Sequence, residues 1–206
     1  MADRPRLLFA TSNPGKAREI RQILDGLPLD LLFLSDVGNP PEVPETGTTF
    51  EENARQKALG YAPLLPGGYV AAEDSGIVVP ALGGEPGVYS ARYGGLPTDG
   101  ERNELLLRRM EGLQGDARKA YYEAVVVLLL PEGGERLFRG RVYGRIAEAP
   151  LGTGGFGYDP LFFHPPSGTT FGCVSPEEKH RYSHRGQAIR ALRQFLQDLL
   201  GSAPVR

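Results

Sequence analysis

The apolar run Leu7-Leu8-Phe9 is followed by six positions without a large apolar side chain, Thr11 to Lys16, and then by Ile20, Ile23, Leu24 and Leu27. That order predicts a strand, a polar turn and an amphipathic helix. Asn13 suits the N-cap and Pro14 the first helical position. Leu31 to Leu34 predicts a short strand, and Pro, Gly and Asp mark the next stretch as loop. Thr49 with Glu52 forms a capping-box pattern that opens a second helix running to about Leu59. "YVAAEDSGIVVPAL" predicts a strand, a tight turn at Asp74-Ser75-Gly76 and a second extended run. Gly83 to Gly100 is loop, and Glu101 to Met110 a helix with Leu105, Leu106 and Met110 inward. Ala120 to Leu130 predicts a buried strand, turned by "PEGG" into an antiparallel partner, "RLFRGRVYGRI". The Gly-rich "GTGGFGYDP" precedes a short strand, Leu161 to Phe163. A last helix begins near Ser183 with Ala188, Leu192, Phe195 and Leu199 on one face. Hairpin and crossover connections together predict an α/β fold with a mixed β-sheet flanked by helices.

Composition narrows the function classes. The 206 residues suffice for one sizeable domain, or two lobes sharing a core. A net charge of −2 argues against a partner held mainly through a nucleic-acid backbone. Cys173 is the one cysteine, which removes an intrachain disulfide and a Cys-rich metal site. No segment approaches the ~20 apolar residues of a membrane span, and the apolar run after Arg4 and Arg6 is too short for a signal peptide. The expectation is a cytoplasmic protein with no nucleic-acid or membrane partner. Lysine occurs only at 16, 57, 119 and 179 in an arginine-rich chain. A compact ammonium is not interchangeable with a planar guanidinium, so these positions are candidates for close contact with a small anion.

Four polar clusters hold candidate chemistry. Thr11, Ser12, Asn13, Pro14, Gly15 and Lys16 form a strand-turn-helix junction whose amides and dipole suit phosphate. The same pattern fits a capped helix with an incidental lysine. It is not a P-loop, because Ala17 stands where Ser or Thr is required. Glu45, Glu73 and Asp74 are hard oxygen donors for Mg²⁺, or solvated loop acids. The pleat should send Glu73 and Asp74 to opposite faces unless the turn has begun. In "GTGGFGYDP", Phe156 and Tyr158 offer stacking faces, Gly157 lets the backbone approach, and Asp159 can accept from a ring N–H or amine; an ordinary Gly-rich connection fits equally. "EEKHRYSHRGQA" sets Lys179 upstream of a Ser183-capped helix that opens with His184 and Arg185, an anion-facing end or a basic solvated turn.

Taken in order, "TSNPGK", "ETGTTFEENARQKA", "EDSGIVVPALGGEPGVYSARYGG", "GTGGFGYDPLFF" and "EEK…SHRGQA" resemble the inosine triphosphate pyrophosphatases, also called non-canonical purine NTP pyrophosphatases. The resemblance spans about Leu7 to Leu196. "GTGGFGYDP" and "SHRGQA" at this separation are its most specific parts. It implies one domain over 1–206, an elongated mixed sheet with two lobes and a nucleotide cleft between them, in a homodimer. It implies hydrolysis of ITP, dITP and XTP to the monophosphate and pyrophosphate, with Mg²⁺, removing these nucleotides from the pool. Thr11 to Lys16 and Lys57 would hold the triphosphate. Asp74 would be general base and metal-linked carboxylate, and Glu45 the other metal ligand, with Glu42 a nearby rival. Ser75 would contact substrate, Phe156 to Asp159 enclose the base, Lys179 lie along it, and His184 and Arg185 read its edge. Glu73 stands where many relatives carry Asp, and Arg92 matches the family without an assigned role. The neighbouring alternatives are a pyrophosphatase of modified pyrimidine nucleotides, which "SHRGQA" disfavours, and a P-loop-like NTPase or kinase.

Overall fold

A computed structural model describes residues 4–38 and 40–201, the side chain of residue 180 excepted. Seven strands form one mixed sheet in the order β2-β1-β3-β4-β5-β6-β7. The elements follow in chain order: β1 (Arg6–Phe9), α1 (Pro14–Leu24), β2 (Asp30–Phe33), α2 (Phe50–Tyr61), β3 (Tyr69–Val78), α3 (Asp99–Arg109), β4 (Lys119–Leu129), β5 (Glu135–Ile146), β6 (Phe162–His164), β7 (Thr169–Thr170), α4 (Pro176–Tyr182) and α5 (His184–Gly201). β1 pairs parallel to β2 and to β3, with Phe9 opposite Phe33 and Ala71. β6 runs antiparallel to β5 and to β7. The α/β class and the mixed sheet expected from the sequence are both present.

One expectation fails. Asp74, Ser75 and Gly76 form no turn; they lie inside the unbroken ten-residue strand β3. The register with β1 ends at Ala71, yet β3 continues as strand through Asp74 to Val78, so sheet structure there outweighs local turn preference. Two further elements were not foreseen, α4 and the two-residue β7. On α5 the fully buried positions are Ala188, Ile189, Leu192 and Leu196, while Leu199 is exposed.

The chain falls into two compact units. The first takes the chain as far as Asp74, then Ala124–Gly140, then Gly186 onward; the second takes Ser75–Glu123 and Arg141–Arg185. In the first unit, alternate side chains of the strands serve two cores. Leu7, Phe9, Tyr69 and Ala71 pack with Ile20 and Leu24 of α1 and with Ala188, Ile189, Leu192 and Leu196 of α5. Leu8, Val70 and Ala72 pack instead with Ala54, Ala58 and Tyr61 of α2. The second unit has its own core, in which Leu106 and Met110 meet Ile77, Tyr122, Tyr158, Phe162 and Phe171.

Candidate active site

The two-period alternation along β3 decides where its acids point. Odd-numbered side chains face α1, and Glu73 comes within 3.8 Å of Lys16 Nζ. Even-numbered side chains face α2, and Asp74 meets Asn53 and Lys57. Glu73 and Asp74 therefore serve different helices, as the pleat requires once the turn is gone.

At the start of α1, Asn13 is extended (φ −78, ψ 114) and its Oδ1 accepts from Gly15 N at 2.9 Å and Lys16 N at 3.0 Å. Pro14 has no N–H. The expectation of open helix amides is therefore corrected: the cap occupies them. What the junction offers an anion is the dipole, the exposed polar surface of Ser12 and Asn13, and the half-buried Thr11 and Lys16 side chains.

α2 begins with the expected reciprocal cap between Thr49 and Glu52. Its side chains then grip the incoming loop at three successive amides: Gln56 accepts from Thr46 N at 3.0 Å, Asn53 from Gly47 N at 2.8 Å and Glu52 from Thr48 N at 2.7 Å. Gly47 must be glycine for this approach, since a Cβ there would lie 2.7 Å from Asn53 Oδ1 and 2.6 Å from Glu52 Cβ. The same loop delivers Glu45, whose Oε1 is 2.9 Å from Lys57 Nζ; Asp74 Oδ1 lies 3.3 Å from that ammonium. Asn53, fully buried, donates from Nδ2 to Asp74 Oδ2 at 3.1 Å. Glu42 is exposed and Glu45 takes the position against Lys57. Arg55 fastens the helix to β5 through Glu135 at 2.6 Å and also binds Glu51 at 2.7 Å.

Burial raises the Asp74 carboxyl above the ordinary range and Glu45 pushes the same way, against the opposing pull of Lys57 and Asn53. Burial works to lower the Lys57 ammonium, but the charges of Asp74 and Glu45 outweigh it and hold it above its usual value. A buried carboxylate raised above its ordinary range, oriented by a fixed amide and facing a cation, is suited to taking a proton.

In the second unit, Phe156 is 49% exposed, with Lys179 Nζ 4.4 Å and Arg185 Cζ 5.6 Å from its ring centroid. Arg185 Nη2 donates to Ser75 Oγ at 3.3 Å. His184 stacks on Tyr122, centroids 4.7 Å apart and planes 8° from parallel. Burial, then the neighbouring Asp159, drives the Tyr122 hydroxyl well above its normal range, so it stays protonated and able to donate. It donates a hydrogen bond to Asp159 Oδ1 at 3.4 Å.

Two sequence expectations change here. Asp159 is 1% exposed, and Oδ2 already accepts from Phe156 N at 2.8 Å and from Lys179 Nζ. Its role as an acceptor for the base is replaced by holding the loop. Gly155 (φ +74) makes room for it, because a Cβ there would overlap Asp159 Oδ2. Tyr158 is 3% exposed with its hydroxyl on Ser90 O at 2.8 Å, so it offers no open stacking face. Phe156 does. Asn53 and Tyr122, neither singled out in the sequence, hold Asp74 and Asp159 respectively. Asn53 was within reach of pattern reading, four residues before Lys57 and so on its helical face. Tyr122 has no local signal. Arg92 is exposed, its guanidinium 5.3 Å over the Tyr89 ring.

Similarity to known proteins converges on one group. A "dITP/XTP pyrophosphatase" of Thermus thermophilus is 52% identical over 194 residues, covering 94% of this chain and 92% of that protein. One of the same description from Geobacter sulfurreducens is 47% identical over 192 residues, covering 93% and 96%. Among solved structures, a HAM1 protein from Coxiella burnetii superposes with a TM-score of 0.87 at 34% identity, covering 94% of this chain and 99% of that one. A nucleoside-triphosphatase, described also as a dITP/XTP pyrophosphatase, from Mycobacterium abscessus gives 0.76 at 40% identity, covering 91% and 98%. The Ham1 family model matches residues 7–195, which span both clusters and every strand between them, and the chain belongs to the Ham1 family.

Proposed function

We propose that this protein hydrolyses non-canonical purine nucleoside triphosphates, ITP, dITP and XTP, between the α- and β-phosphates, releasing the monophosphate and pyrophosphate. The observation that carries the reading is Asp74: buried, raised above its ordinary range by that burial, held by Asn53 and faced by Lys57 and Glu45. The activity named for relatives at 47–52% identity over nearly the whole chain supports the same substrate class.

The chemistry follows from these groups. Asn53 fixes Asp74 through Oδ2 and Lys57 faces Oδ1; a carboxylate oxygen has two lone pairs, so the one on Oδ1 not turned to Lys57 is placed to accept a proton from water. The water oxygen bonds to the α-phosphorus as its bond to the bridging oxygen breaks; the electron pair leaves with pyrophosphate and the proton passes to Asp74. Lys57, and Lys16 on α1, supply positive charge to the phosphates, and fixed charges of this kind provide most of the acceleration in such transfers. Glu45 and Asp74 fit Mg²⁺ by donor chemistry: both reach one ammonium, so one divalent cation can neutralise both. Two protein carboxylates completed by water and phosphate oxygens is a usual Mg²⁺ arrangement. Among the described residues no group of three or more His, Cys, Asp or Glu forms a larger cage. The metal, when bound, neutralises charge on the phosphate oxygens.

Base choice falls to the second unit. Phe156 stacks on the purine, and Arg185, buried beside Ser75, donates to the 6-oxo group of hypoxanthine or xanthine. Adenine's 6-amine would set donor against donor, which a buried site penalises. We further propose that the protein works in the cytoplasm as a homodimer, in line with the family resemblance; among the described residues no helix is long and apolar enough to cross a membrane. The test is a substrate panel at saturating Mg²⁺: kcat/KM for ITP, dITP and XTP should exceed that for ATP by orders of magnitude. Equal values for ATP and ITP would refute the assignment.

A further inference from the structure

Two side chains of α3, four residues apart on one helical face, reach a single residue of the Gly-rich loop through the two peptide groups that flank it. Asp99 Oδ2 accepts from Gly157 N at 2.7 Å and Asn103 Nδ2 donates to Gly157 O at 3.1 Å. Both ends of that residue's polar backbone are held by one helix. Gly157 has φ +62, a conformation in which glycine is freest; Asp159 holds the Phe156 backbone on one side, through Oδ2 to Phe156 N at 2.8 Å and its own N–H to Phe156 O at 3.3 Å, and the α3 bonds hold Gly157 itself. Asn103 is 7% exposed and its Oδ1 is buried with no hydrogen-bond partner among the described residues. Reversing the amide would set Oδ1 against the Gly157 carbonyl. The position therefore tolerates an unsatisfied acceptor, an unfavourable state, in order to present one donor to Gly157. The helix end that carries Asp99 is itself fixed, by the reciprocal Thr98–Glu101 cap and by Arg102, which pairs with Asp99 and donates to Leu96 O at 2.6 Å. No residue of α3 belongs to the motifs that mark the family resemblance.

We infer that Asp99 and Asn103 are positioning residues for base recognition: they hold the Gly157 backbone so that the preceding Phe156 ring presents a fixed, exposed face to the purine. This rests on the reading that Phe156 stacks the base. A ring ordered before binding saves the ligand the cost of ordering it, so the clamp acts on affinity for anything carrying a base. It is indifferent to ligands without one.

The experiment compares ITP with inorganic tripolyphosphate, which offers the phosphates alone, in the full-length protein. Asp99→Ala and Asn103→Ala should each raise KM for ITP about tenfold, leave kcat within about twofold, and leave tripolyphosphate inhibition unchanged. Asp99→Asn keeps a carbonyl acceptor for Gly157 N and should restore near-normal KM. Should an alanine variant fold poorly, Asn103→Asp, the same shape with an acceptor in place of the donor, carries the test. The chain has no tryptophan, so Phe156→Trp adds a sole reporter at the ring, and its fluorescence anisotropy should fall when Asp99→Ala is added. Unchanged KM in Phe156→Ala would overturn the stacking reading and the clamp with it. A raised KM in Phe156→Ala with normal KM in both α3 variants would overturn the clamp alone. Loss of ITP and tripolyphosphate binding in parallel would show general damage and overturn the positioning role.

Discussion

Lys57 Nζ stands 3.3 Å from Asp74 Oδ1, with 14% of the lysine side chain and 11% of the aspartate side chain exposed. Glu45 joins the same ammonium at 2.9 Å. One cation thus offsets two carboxylates in a poorly solvated place, an arrangement retained more plausibly for chemistry than for stability, since ion pairs in such sites often give little net folding energy.

Asp74→Asn keeps the shape and the Asn53 contact partner while removing the proton acceptor. Lys57 retains Glu45, so the fold should survive with little change in Tm. kcat should fall by ~10²–10⁴-fold. Near-normal turnover would remove Asp74 from the mechanism.

Asn53→Ala tests the support behind Asp74. It leaves Gly47 N and Asp74 Oδ2 each short of a partner, costing about 1–3 kcal/mol for each group. The loop that delivers Glu45 also loses its central anchor, so activity should drop more than the stability loss explains. A variant with lowered Tm and full kcat would show the residue to be purely structural.

His164 gives a pH dependence in stability. Burial holds its ring below the ordinary value of 6.5, against a smaller upward pull from Glu178. The unfolded chain therefore binds the proton more readily. The stability from the neutral ring is fully present above pH 6.5 and is lost as pH falls toward the lower folded value. Tm of the wild type and of His164→Gln, measured from about pH 8 to about pH 5, should converge as the medium is acidified. A constant gap would show that His164 does not titrate differently on folding.

Arg185→Ala should lower kcat/KM for ITP and XTP far more than for ATP. Sites built on such a hydrogen bond discriminate by up to ~10⁴–10⁵, and the ratio should shrink accordingly. Phe156→Ala should weaken all purine substrates more evenly, by roughly 1–3 kcal/mol. An unchanged ITP-to-ATP ratio in Arg185→Ala would place base reading elsewhere.

The lysines show how far the sequence was legible. Lys16, Lys57 and Lys179, each inside a polar motif, all prove to be partly or largely buried against a carboxylate, with 21, 14 and 10% of the side chain exposed. Lys119, outside the motifs, is 66% exposed beside Asp116. Caps were equally readable at Asn13 and Thr49, which accept where local rules place them; the Thr98 cap was not read, and α3 begins at Asp99, two residues before the expected Glu101. α4 was readable in hindsight of its Ser175-Pro176 start, although its seven residues carry no apolar period. What escaped was tertiary. The turn chemistry of Asp74-Ser75-Gly76 was overruled by their place inside β3. The occupation of Asp159 depends on Tyr122, 37 residues away, and on Lys179, 20 residues away.

The most direct measurement of the central claim is the identity of the products from ITP. The arrangement of Asp74, Lys57, Glu45 and Lys16 predicts IMP and pyrophosphate in equal amounts, formed in a Mg²⁺-dependent reaction that Asp74→Asn slows by ~10²–10⁴-fold. IDP and orthophosphate, formed by enzyme free of contaminating phosphatase, would contradict it.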